Sequence, residues 1–159
     1  FKLAFWDTYN FSPGATYNNR EFFNYSAATT GRFLDAIMTY HCGASFPLQL
    51  QASTILFGRD RDEENRKNRY SSYVYAEYPL LARQDWHIAV GCGGTFTLRA
   101  SDDRSTFYSD RPGVIHVELR VGYRLPLTAS YTLPLHATAV WNPVCDRAFF
   151  QVGAQLLSF

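Results

Sequence analysis

Glu118, Arg120 and Arg124 follow one another at intervals of two and four residues in the run VIHVELRVGYRL, so in an extended strand their side chains leave one face together. His116 opens that run on the same face. Arg99 takes the corresponding face of the strand candidate before it, and His136 that of the candidate after it. Glu77 and Asp35 are placed to reach the same space from earlier strands. Charges withdrawn from bulk water persist only when paired and hydrogen-bonded. This set therefore has three readings: a plug of ion pairs, a path for ions or protons, or an acid–base site.

The remaining chemistry-bearing residues narrow the choice. His41, His87, His116 and His136 all fall on the polar faces of strand candidates, but there is no HExxH, and no two stand at a ligand spacing on one strand. No metal and no cofactor is expected, and hydrogen-bonded histidines are the ordinary reading. A catalytic nucleophile needs a histidine base and an orienting acid. His116 comes nearest, just after the stretch that holds Ser101, Ser105 and Ser109, but no GxSxG or His-x-Ser pair accompanies it. The GCGG at 91–94 sits inside a strand candidate and does not open a helix, so it is read as room for a neighbouring arginine and not as a phosphate loop. Cys42, Cys92 and Cys145 fall too far apart to bridge and are expected to be free thiols.

These side chains need strands to hold them, and the composition supplies them. The chain has 159 residues, read as a single domain over 1–159, with 17% aromatic residues, 10 Gly and 7 Pro. A formal net charge of +1 argues against nucleic acid as a partner. No apolar run approaches the ~20 residues of a membrane helix. No charged-then-apolar leader opens the chain, which is read as a trimmed mature form or a non-secreted one. Alternation at period two marks strands over 1–10, 32–42, 47–58, 70–81, 86–100, 114–127, 129–141 and 148–159. Long polar connections (11–31, 59–69 and 101–113) alternate with tight ones, Thr128 alone nearly sufficing for one turn. That is the plan of an up-and-down antiparallel meander with both termini at the tight-turn end.

One face of each strand is apolar. Ile115, Val117, Leu119, Val121, Tyr123 and Leu125 oppose the charged set. Trp86, Ile88, Val90, Cys92, Phe96 and Leu98 oppose His87, Ala89, Gly91, Gly93, Thr95 and Thr97. Tyr131, Leu133, Leu135, Ala137, Ala139 and Trp141 oppose Ser130, Thr132, His136 and Thr138, while Leu34, Ala36, Met38 and Tyr40 oppose Asp35, Thr39 and His41. A soluble lipocalin-like barrel points such apolar faces inward; an outer-membrane barrel points them at lipid. Long strands, aromatics at apolar-face ends and arginines interleaved with glycines favour the second arrangement. Pro134, inside a strand, and Trp6, out of phase with Phe1, Leu3 and Phe5, fit it poorly.

On these residues the chain resembles the small eight-stranded outer-membrane barrels of Gram-negative bacteria, similar in plan to the transmembrane domain of OmpA and to OmpX. Its closing AFFQVGAQLLSF resembles the C-terminal signal of such barrels through Leu157 and Phe159, with a one-residue bulge near 156–157 needed to bring Phe150, Val152, Ala154 and Leu156 into phase. The resemblance implies an all-β, eight-stranded antiparallel transmembrane barrel with a polar, plugged lumen, periplasmic termini and outer-membrane lipid around it. The role expected is structural or interactive, as an accessory subunit of a larger outer-membrane assembly. The contact surfaces would be RDRDEENRKNR and the aromatic first loop, with Tyr17, Phe22, Phe23 and Tyr25. A lipid A-modifying enzyme, a narrow channel and a soluble lipocalin-like carrier stay open as alternatives.

Overall fold

Each alternating run becomes a β-strand in the computed structural model, which describes residues 1–9, 20–99 and 104–156. In chain order the strands are β1 (Lys2–Tyr9), β2 (Arg32–His41), β3 (Gln49–Gly58), β4 (Ser71–Ala82), β5 (Trp86–Thr97), β6 (Gly113–Pro126), β7 (Thr132–Asn142) and β8 (Arg147–Ala154). They form one eight-stranded antiparallel sheet in which every neighbour in space is a neighbour in sequence. The sheet is not closed: β1 and β8 are its edges. The expected closed ring is thus not formed by these ladders, and the side chains of both edge strands are largely exposed.

Register fixes the faces. Val117 pairs with Trp141, Leu119 with Ala139, Val121 with Ala137 and Tyr123 with Leu135, and the row continues as Ala139 with Phe150 and Ala137 with Val152. The other face pairs Arg120 with Thr138, Gly122 with His136, and His136 with Gly153. A one-residue slip would invert every one of these positions. Phe150, Val152 and Ala154 thus share the apolar face as their own phase requires. Leu157 and Phe159 lie outside the described residues, and so does the expected bulge. Trp6 stands opposite Asp35 on the polar face, while Phe5 and Leu3 pair with Ala36 and Met38 on the apolar one.

Two local expectations are corrected. The β6–β7 turn takes residues 127–131, not Thr128 alone. Leu127 and Thr128 both donate backbone N–H groups to the Tyr131 carbonyl, at 3.0 and 3.1 Å. Pro134 fits β7 because of where its missing N–H would point. Arg124, its partner on β6, gives its own N–H to Asp85 on the far side at 2.9 Å, so the Arg124–Pro134 pair needs no bond between them. Toward β8 the Pro134 carbonyl accepts the Gln155 N–H at 2.9 Å, one residue beyond the last ladder pair. The proline forgoes only the final amide bond of that edge.

The chain divides into two compact units, 1–40 with 51–74 and 94–113, and 41–50 with 75–93 and 114–159. In both, burial runs against the usual order. Among the described residues the buried apolar side chains are Ile55 and Ala89, whereas Thr30, Arg32, Asp35, Ser53, Asp60, Ser71, Ser72, Thr95, Thr106 and Glu118 are buried. Leu3, Phe5, Met38, Leu56, Val74, Phe96, Val117, Leu119, Phe150 and Val152 are exposed. On β5 the alternation is plain: Ala89, Gly91, Gly93 and Thr95 are covered while Cys92 and Phe96 are open.

In the first unit the segment 20–30 folds over the apolar-face end of β1 and β2. There Arg32 is buried, bonded through Nη1 to Asp7 at 2.8 Å and through Nε to the Phe22 carbonyl at 2.7 Å. Its guanidinium lies 4.2 to 5.0 Å from the ring centres of Phe22, Tyr25 and Tyr9. The Arg32 carbonyl accepts the Arg59 N–H at 3.0 Å. This close approach needs Gly58, whose φ is +105° and whose Cβ, if present, would overlap the Arg32 carbonyl. Gly58→Ala is therefore expected to cost more than about 1 kcal/mol, read as a lower midpoint in chemical denaturation.

Candidate functional site

In the second unit, β4 and β6 bring Tyr75, Glu77, His116, Glu118 and Arg120 together. Period two puts Tyr75 with Glu77 on one face of β4, and His116, Glu118 and Arg120 on one face of β6. Arg120 forks between the carboxylates: Nη1 reaches Glu77 Oε2 at 2.8 Å and Nη2 reaches Glu118 Oε1 at 2.7 Å. His116 Nε2 lies 2.9 Å from Glu118 Oε2. The Tyr75 hydroxyl donates to Glu118 Oε1 and also lies 3.1 Å from Glu77 Oε2. Glu118 is only 7% exposed, and both of its oxygens are engaged.

Room for this cluster comes from β5. A Cβ on Gly91 would overlap the Tyr75 hydroxyl and ring. The GCGG run does make space, as its placement inside a strand suggested, but at Gly91 the neighbour is a tyrosine and not an arginine. With His116 neutral, two carboxylates face one guanidinium; protonating His116 brings the cluster to charge balance. The hydrogen bonds described above hold no Ser, Thr or Cys hydroxyl or thiol against the histidine. What the arrangement does chemically is hold a buried carboxylate in place through three partners from two strands.

Of the residues expected to share this space, Glu77, His116, Glu118 and Arg120 do so. Arg124 is exposed near the β4–β5 turn, and His136 packs on Gly153, where a Cβ would overlap its ring. Asp35 and Arg99 belong to the first unit. Asp35 is buried on β2, and its Oδ1 has no hydrogen-bond partner among the described residues. Same-face placement was legible for all of these, but position along the strand decides which of them touch. Tyr75 was missed, although it stands two residues before Glu77 in the same phase. His41 and His87 are exposed, and the three cysteines are free and exposed.

The loops carry a second group of polar residues. Asp60, 1% exposed, accepts both the Ser71 N–H and its hydroxyl at 2.7 Å, and Ser71 Oγ in turn accepts the Phe107 N–H at 2.8 Å. Burial pushes the nearby Tyr108 phenol up from its usual range. Tyr25, donating to Asp7 at 2.9 Å, is raised by that bond. Phe23 is 83% exposed, with Phe22 and Tyr25 beside it; Tyr17 and Ser101 lie outside the described residues. Set against known proteins, the chain matches no family model, and no curated protein or solved structure matches it.

Two measurements test these assignments. Tyr75→Phe removes a bond to a charged acceptor and is expected to cost about 1.5–3 kcal/mol. Combined with Glu118→Gln it should lose less than the sum of the two, since both changes delete one interaction. In the β3–β4 loop, the Arg66 N–H at 2.6 Å holds the Asp62 carboxyl below its usual range, helped by the Lys67 N–H and the charges of Arg66 and Arg61. A depressed carboxyl stabilises the loop above its unfolded value of about 3.9 and ceases to do so as pH falls through the folded value. Proton titration followed by NMR should show Asp62 protonating below the ordinary carboxylate range, with the Arg66 amide shifting in the same step.

Proposed function

We propose that this chain is an integral outer-membrane β-barrel of structural or interaction type, its apolar face in lipid and its polar face turned to a lumen filled by side chains. The observation that carries the reading is the inverted burial: Glu118, Asp35 and Thr95 are covered while Phe5, Leu119, Phe150 and Val152 are bare. Water would oppose that order; hydrocarbon favours it. The strands of 10 to 14 residues from β2 to β7 match the roughly 9–11 that a tilted strand needs to cross lipid. Exposed Trp86, Tyr40, Tyr131 and Trp141 stand near strand ends, where interfacial girdles belong. In lipid the free edges of β1 and β8 would be costly, which argues for their pairing in the membrane.

On this reading the termini are periplasmic and the long loops face outward. Phe22, Phe23 and Tyr25 with the arginine-rich β3–β4 loop form contact surfaces for another component of the outer membrane, the protein acting as an accessory subunit. Extraction from native membranes tests both halves. The expected outcome is recovery only with detergent, in a particle heavier than the 18.2 kDa chain with its detergent and containing other proteins. Recovery in aqueous buffer would overturn the membrane reading and restore the lipocalin-like alternative. A lone monomer in detergent would overturn the accessory role. Lipid A mass changes and planar-bilayer conductance would then separate enzyme from channel.

A further inference from the structure

We propose that the cleft between the 20–30 segment and the β3–β4 loop binds a phosphate-bearing group. The cleft has a volume of about 490 Å³ and is lined by Thr29, Thr30, Arg59, Arg61 and Asn65, together with the Ala27–Ala28 backbone. No carboxylate is among its described lining residues. Two guanidiniums sharing a concave space of this size suit a multiply charged, oxygen-rich anion, which arginine binds through paired N–H groups.

The described groups that position these two arginines are neutral ones. Arg61 donates through Nε to Asn65 Oδ1 at 2.8 Å and through Nη2 to the Asn65 carbonyl at 3.0 Å, both neutral acceptors. Its Nη1 takes no part in those bonds. Arg59 lies over the Phe107 and Phe33 rings at 4.8 and 5.4 Å, which fixes the plane of its guanidinium. Several loop carboxylates are committed elsewhere: Asp60 to Ser71, Asp62 to the Arg66 and Lys67 N–H groups, and Glu64 to the Arg66 side chain.

The walls are also held in position before any ligand arrives. Asn65 adopts a left-handed conformation, φ 53°, and its Nδ2 donates across the cleft to the Ala28 carbonyl at 2.8 Å. Thr29 and Thr30 are anchored by N–H bonds to the Ser26 carbonyl at 3.0 and 2.9 Å. A site whose cations are fixed in advance loses little freedom on binding. The ligand is either a free anion or the headgroup of a lipid, and the phosphate chemistry is common to both. The proposal stands on loop geometry within one unit and goes beyond the barrel reading.

The test uses the full chain folded in detergent micelles, with two probes. Inorganic phosphate is titrated with ³¹P NMR detection, and short-chain phosphatidic acid is titrated in micelles against the phosphate-free diacylglycerol. Saturable binding is expected, weakened about tenfold by Arg61→Gln and by Arg59→Gln, the loss of one contact to a charged group. Lys67→Gln, outside the cleft, should leave it unchanged, and Arg61→Lys should retain part of it because the charge remains. Saturation by phosphate alone assigns a free anion, and saturation by phosphatidic acid alone assigns a lipid headgroup. Failure of both probes to saturate overturns the proposal. So does binding indifferent to Arg61→Gln in protein whose circular dichroism is unchanged. Since binding is read in detergent, either result leaves the extraction experiment to judge the membrane reading separately.

Discussion

A carboxylate that leaves water must find its partners on the surface that covers it, and Glu118 meets that condition with Tyr75, His116 and Arg120. Much in the second unit follows from this requirement. The partners have to come from β4 as well as β6, so the stagger of these two strands across β5 is constrained by chemistry as well as by alternation. Tyr75 has to pass over β5, so β5 has to be bare at Gly91. Arg120 has to reach two carboxylates, which ties Glu77 into the same set. Removing one partner of such a group leaves charge without compensation, so the set behaves as a unit.

The first unit solves the same problem differently. Arg32 stands in the phase of Leu34 and Ala36, on the apolar face, where an isolated guanidinium is costly. Asp7 supplies the countercharge at Nη1, the Phe22 carbonyl takes Nε and three aromatic rings lie over the group, while Nη2 has no hydrogen-bond partner among the described residues. The covering segment comes from the long first connection. Its aromatic content is therefore partly structural: Phe22 closes over Arg32 while Phe23 projects away. Asp60 repeats the pattern, a buried carboxylate that joins the β3–β4 loop to the start of β4 through Ser71.

Strand positions and faces were readable because period-two alternation is a local signal. Val117, Leu119 and Val121 need only their own neighbours to declare their side, and the pairings with Trp141, Ala139 and Ala137 follow. Which charges meet is set by stagger between strands, which alternation does not encode. Arg124 and Arg120 share a face, yet only Arg120 lies level with Glu77. Pro134 looked misplaced because a proline's effect depends on which side its amide would have faced, a property of pairing and not of sequence. The cleft lined by Arg59 and Arg61 was hidden for a related reason. RDRDEENRKNR reads as a solvated mixture of signs until Asp60 and Asp62 are seen to be satisfied elsewhere.

The two edges tie fold and surroundings together. In water, the unpaired groups of β1 and β8 can be solvated, but the apolar side chains beside them cannot be hidden: Phe1, Leu3 and Phe5 on one edge, Phe149, Phe150 and Val152 on the other, are all exposed. An edge of this kind invites pairing with any available strand. In hydrocarbon the balance reverses, since the side chains are at ease and each unpaired backbone group costs several kcal/mol (~). The two strands most exposed on both faces are thus those whose free edges lipid would least tolerate. The strand order also makes them the only pair whose union leaves no edge at all. On the proposed reading, insertion would therefore bring closure with it, because the medium that would accept the apolar face would also disfavour an open sheet.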